Sequence, residues 1–179
     1  MKKEIGLKIG TVKLKKYNPN WKKLFEKERK FLLKNFPNKI LEISHGGSTS
    51  VHGMPAKPII DMFAVVKSLK IAEKMRKELE VLDYHYRGEE GVPDRILYVK
   101  GEENNRTHHL QLMQRKSSSW KEHLLIKNYY MKYPDVAQEY AKLKKKLAKQ
   151  YPNNRIAYRN GKDSFIKNVI AQAKLEKGK

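Results

Sequence analysis

The chain has 179 residues with 40 lysines and arginines against 19 acids, a formal charge of +21 and no cysteine. Such a length suits one domain, residues 1–179, with a substantial core; the missing cysteines exclude disulfides and thiolate metal centres, and the charge favours polyanions without naming one. No apolar run approaches the ~20 residues of a membrane span, and the opening residues lack a signal peptide's apolar stretch, so no membrane role and a cytoplasmic location are expected.

Residues 5–15 alternate in two phases about Gly10 and Thr11, which predicts a short hairpin or bulged strand. Asn18 and Pro19 read as the cap and first residue of a helix that runs to Phe36, with Trp21, Leu24, Phe25, Leu32 and Phe36 inward. Ile40 to Ile43 and Pro58 to Val66 read as strands that pair across a Gly-Gly-Ser turn. Ser68 caps one helix through Leu82, and Gly88 to Pro93 forms a polar loop at the mouth of a cleft. Ile96 to Lys100 and Thr107 to Gln114 are read as antiparallel strands.

The remainder, residues 119–179, is predicted to be helical. One helix starts at Ser119 and ends near Tyr133; a second covers Asp135 to Gln150, with Lys142, Lys144, Lys145, Lys146 and Lys149 outward. Tyr151 to Asn154 breaks the chain before a last helix from Asp163 to Leu175, and the tail beyond it should fray. The sum is an α+β domain with a mixed sheet and flanking helices, without internal repeats.

The chemistry concentrates between His45 and Val66. A tight turn carries Gly47, Ser48, Thr49 and Ser50, Lys57 follows, and then a buried-strand pattern is interrupted by one acid, Asp61. An ionised carboxylate loses its hydration in such a strand and persists only with a cation. Glycine amides, small hydroxyls and a lysine are donors for phosphate oxygens, and a carboxylate is a ligand for Mg²⁺. The bland alternative, a tight turn before a core strand whose aspartate caps a loop, uses the same residues.

This string resembles the signature of the GrpB family within the nucleotidyltransferase-like superfamily, roughly His-Ile-Gly-Ser-Thr-Ser-Val-Pro-Gly-Leu-x-Ala-Lys-Pro-Ile-Ile-Asp-Ile. Gly46 stands where the family usually has Ile, and His52 where it has Pro. Tyr17, Pro19, Trp21 and Phe25 resemble the family's opening. His109 to Gln111 resembles its His-Leu-His strand, with Gln111 for the second His. Ile126 to Tyr129 resembles Phe-Arg-Asp-Tyr with altered charges, and Tyr158, Gly161, Lys162, Phe165 and Ile166 match its C-terminal pattern.

The resemblance implies a nucleotidyltransferase-like fold. It also implies a site in which Asp61 is the catalytic carboxylate, with Asp61 and His109 holding Mg²⁺ and Gly47, Ser48, Ser50, Lys57 and Lys162 meeting phosphate. His109 and Gln111 would line the acceptor side. The expected ligand is a nucleotide or another phosphorylated small molecule, and the expected function is nucleotide binding with nucleotidyl transfer to an unknown acceptor. Many nucleotidyltransferases carry a second acid two residues after the first; Phe63 stands there. That residue favours an alternative, a binding module that keeps the pocket without chemistry. A third reading, an RNA-binding protein driven by excess lysine, lacks the arginine-aromatic interleaving of RNA-binding faces.

Overall fold

A computed structural model of the chain describes residues 4–177; expectations for the first three residues and the last two lie outside them. Its centre is a five-stranded sheet of β1 (Ile40–Gly46), β2 (Ile60–Val66), β3 (Tyr84–Gly88), β4 (Arg95–Lys100) and β5 (His108–Met113), in the order β1-β2-β5-β4-β3. All neighbours are antiparallel except β2 and β5, which run parallel and bring Asp61 opposite His109 and Phe63 opposite Gln111. The expected α+β fold with a mixed sheet is present.

Strand alternation gives β2 two unlike faces. Ile60, Met62 and Ala64 are all fully buried and meet α1 (Asn20–Asn35) in one core, together with Leu110, Leu112 and Tyr98. Trp21, Phe25, Leu32 and Phe36 supply the helix side of that core. Each such large side chain contributes ~2–3 kcal/mol of apolar burial. Asp61 and Phe63 point the other way, toward four C-terminal helices: α4 (Ser118–Lys132), α5 (Pro134–Gln150), α6 (Arg155–Asn160) and α7 (Asp163–Lys177). The second core, with Val51, Met54, Tyr130, Tyr140 and Val169, joins these helices to the turn after β1. Among the described residues no helix is long and apolar enough to cross a membrane.

Several local expectations change. Residues 5–15 form no hairpin; they make an extended strap with isolated bridges Leu7–Arg106 and Lys15–Ala56, and Val12 N–H donates to the Pro152 carbonyl at 2.7 Å. The strap draws its backbone partners from three distant loops, so its own alternation does not define a partner strand. The helix expected over 68–82 divides at Met75 into α2 (Leu69–Lys74) and α3 (Arg76–Val81), with Ser68 Oγ still accepting from Ile71 N–H at 3.4 Å. Strand β3 and helix α6 lie where the sequence pattern places no element. β3 is a short edge strand, and α6 follows an Asn154 side chain that accepts from the Ala157 amide. The last helix extends past Leu175 to Lys177.

Lys144 is the sharpest correction. It was placed with the outward lysines of α5, yet it is 2% exposed and its Nζ donates to the Pro55 carbonyl at 2.6 Å. Tyr140, Lys144 and Leu147 lie at four- and three-residue spacing, so the lysine falls on the buried stripe.

Candidate functional site

The turn after β1 and the carboxylate on β2 meet. Antiparallel pairing sets Gly46 opposite Asp61, and the next residue, Gly47, turns with φ +61°, a conformation that favours glycine. A side chain on Gly47 would collide with the Asp61 carboxylate, so the absence of a Cβ is what lets the turn lie against the acid. One step back, Gly46 leaves room for the Phe63 ring, which stacks on His123 with centroids 3.8 Å apart.

Asp61 keeps 29% of its side chain open, and Oδ1 lies 3.0 Å from His109 Nδ1. Burial pushes its carboxyl up, but the His109 contact, the charges of His109 and Lys57, and a more distant His45 together bring it below the usual carboxylate range. The acid is therefore ionised at neutral pH. His109 is buried between β2 and β4 in the sheet, and among the described residues its Nε2 has no hydrogen-bond partner. Gln111, two residues on, accepts from Arg95 Nη1 at 2.6 Å.

These residues line one of two adjoining hollows of about 390 Å³ each, which share Gly47, Ser48, Phe63, Arg95 and Gln111. The first is cationic: Lys57, Lys144 and Lys162 converge there with Arg95, Arg155 and Arg159, against Asp61 and Glu90. Burial, then the Arg155 charge, lowers the Lys57 ammonium to about 8 despite Asp61, and Lys162 adds to the effect. Burial and then the Lys162 charge bring Lys144 to about 7. Lys162, over the Tyr158 ring at 4.5 Å, is lowered by burial against the pull of Asp61 and Asp163. The second hollow is apolar and aromatic, walled by Val51, Phe63, Ile126, Tyr130, Tyr140 and Ile170.

Of the residues singled out from sequence, Gly47, Ser48, Lys57, Asp61, His109, Gln111 and Lys162 all line the cationic hollow. Ser50 does not: its Oγ donates to the Gly47 carbonyl at 2.7 Å, and it faces a separate groove beside α1. Sequence reasoning passed over Lys144, Arg95, Arg155 and Arg159. The last two carry a usable signal, since four-residue spacing on α6 puts both on one face.

A metal pair does not suit this donor set. Asp61 and His109 spend facing atoms on each other, Phe63 fills the place of a second acid, and among the described residues no cluster of three His, Asp or Glu could hold an ion.

The model for the GrpB protein family matches residues 11–172. The chain belongs to the GrpB family. The Glutamate-rich protein GrpB of Alkalihalophilus pseudofirmus is 34% identical to this GrpB chain over 170 residues, covering 93% of the chain and 98% of that protein. The UPF0157 protein YqkA of Bacillus subtilis is 38% identical over 158 residues; 88% of this chain is covered, and the match spans 46% of YqkA. The crystal structure of the conserved protein GrpB from Enterococcus faecalis superposes with a TM-score of 0.86 at 33% identity, covering 93% of this chain and all of that one.

Proposed function

We propose that the cleft binds a nucleotide or a similarly polyphosphorylated small molecule, with its phosphates in the cationic hollow and its organic part in the aromatic one. One observation carries this reading: six basic side chains and an aromatic chamber meet at a glycine turn beside the ionised Asp61 carboxylate. The charge excess of that hollow calls for an anion of several charges, and the adjoining rings suit a flat apolar group. Gly47 and Ser48 line both hollows, so they lie where the phosphate next to the organic part would rest. An acceptor hydroxyl brought to that junction would attack the phosphorus in line, a new P–O bond forming as the one to the departing pyrophosphate breaks and the hydroxyl proton passing to the ionised Asp61, while the lysines and arginines stabilise charge on the leaving group. Nucleotidyl transfer is thus the chemistry that this arrangement favours.

A second reading draws on Phe63. Without a second carboxylate the site retains every feature needed for binding and lacks one used for turnover in metal-dependent transferases, which favours a binding module. Calorimetric titration of the four common nucleoside triphosphates, with product analysis by mass spectrometry, tests both. Binding weakened at least tenfold by Lys162→Met together with a nucleotidylated product supports transfer, and binding without product supports the module. Failure of every triphosphate to bind contradicts the proposal.

A further inference from the structure

The cationic hollow has too many lysines for a magnesium-led site. In metal-dependent phosphoryl chemistry the protein supplies carboxylates and the metal neutralises the phosphates. Here the proportions are inverted. Six side-chain cations line the hollow, and its acids are Asp61 and Glu90. Asp61 has already committed Oδ1 to His109 and presses against Gly47, so it offers little to an incoming ion. The position where a second carboxylate would complete a metal site holds a ring stacked on His123.

Lys144 adds an independent observation. An ammonium group brought into a nearly closed interior is costly unless it is paired. Its partners are the Pro55 carbonyl and the face of Tyr140, 4.9 Å away, and the charge that acts on it is a like one, Lys162. One ammonium proton is used on Pro55, and Lys144 lines the hollow together with Lys57, Arg155 and Lys162. Among the described residues, a group held in this way lacks its counter-charge.

We infer that the hollow takes its polyphosphate as the free anion, with Lys57, Lys144, Lys162, Arg155 and Arg159 doing the work of a metal ion and Lys144 as a phosphate ligand in the wall. The inference rests on the nucleotide reading above and sharpens it: the ligand class is an organic polyphosphate bound without a divalent cation. The bound anion also moves protons. Lys144, near 7, faces Lys162, the Tyr140 ring and the Pro55 carbonyl. Lys57, near 8, faces Arg155, Lys162, Asp61 and Tyr158. At pH 8 a share of both groups is neutral. Phosphates stabilise the ammonium forms, raise their proton affinity, and draw protons from solution on binding.

The test is calorimetry on the full chain with ATP and with inorganic tripolyphosphate, in EDTA and in saturating MgCl₂, at pH 8 in two buffers of different ionisation enthalpy. The inference predicts ATP and tripolyphosphate binding in EDTA that magnesium leaves unchanged or weakens, and a buffer-dependent enthalpy reporting proton uptake. It also predicts that Lys144→Met, a volume-conserving change checked for folding by its thermal melt, weakens both ligands about tenfold and reduces the uptake. ATP binding that appears only with magnesium overturns the inference and leaves the nucleotide reading standing. Unchanged affinity and uptake in a folded Lys144→Met protein overturn the role of Lys144. Absence of ATP binding in both conditions removes the nucleotide reading itself.

Discussion

Two lysines, one on each side of the sheet, separate structure from site. Lys100 on β4 donates to Glu28 Oε1 of α1 at 2.6 Å, and the same oxygen accepts from the fully buried Tyr84 hydroxyl at 2.9 Å. Burial raises the Glu28 carboxyl, but the Lys100 hydrogen bond and the neighbouring charges outweigh it, so the pair is charged and matched. Lys144, on the cleft side, has a carbonyl and a ring in place of a carboxylate. A paired charge under a sheet joins elements; an unpaired one beside a cavity points to a ligand that supplies the missing sign.

Breaking the matched pair should have the largest effect. Glu28→Ala leaves Tyr84 without an acceptor and Lys100 without its carboxylate; because Lys100 keeps 22% of its side chain in solvent, the expected loss is about 3 kcal/mol, read by urea unfolding. Phe63→Asp attacks the cleft side. It removes the ring stacked on His123, costs about 2 kcal/mol, and installs a carboxylate two residues after Asp61. The variant should gain a thermal shift on adding Mg²⁺ or Mn²⁺ that the unmodified protein lacks, and equal shifts in both would refute the donor-set argument.

Acid should act next. Burial, aided in each case by neighbouring positive charge, lowers His45, His108 and His123 to about 4. The unfolded chain binds these protons near its ordinary 6.5, so between pH 6.5 and 4 it holds more protons than the folded one and stability falls with pH. The melting temperature should therefore fall steadily as pH is lowered across that window, and a flat profile would contradict it. The smallest effect has the opposite direction. Lys144→Met should raise stability by about 1 kcal/mol at pH 6, where the buried amine is protonated. Its unfolded counterpart, near the ordinary lysine value, holds the proton to higher pH, so the original protein gains stability above pH 7 and the variant's advantage shrinks.

The same comparison shows what the chain made legible. Period-two and helical spacing placed α1, β1, β2, β5 and the two faces of β2, because burial of one face leaves a local pattern. The meeting of Gly47 with Asp61 followed from two strands pairing across the turn, whereas that of Asp61 with His109 came only with the family resemblance, since no local pattern encodes the parallel pairing of β2 with β5. The strap over residues 5–15 was misread because its backbone partners come from Pro58, Arg106 and Pro152, positions that no local alternation encodes. Lys144 was misread for a different reason. Charge was weighed above phase, although Tyr140 and Leu147 fixed its direction. Four-residue spacing puts Arg155 and Arg159 on one face of α6, but that this face borders the hollow is a tertiary fact the spacing alone does not supply.

The most direct measurement is a crystal structure of the protein grown with a non-hydrolysable triphosphate analogue in EDTA. The account predicts phosphate oxygens within hydrogen-bond distance of Lys57, Lys144 and Lys162, the Gly47–Ser48 turn at the innermost phosphate, and the base against Phe63 and Tyr140. Phosphates bound elsewhere, or a Lys144 ammonium still turned only to Pro55 with the hollow empty, would contradict it.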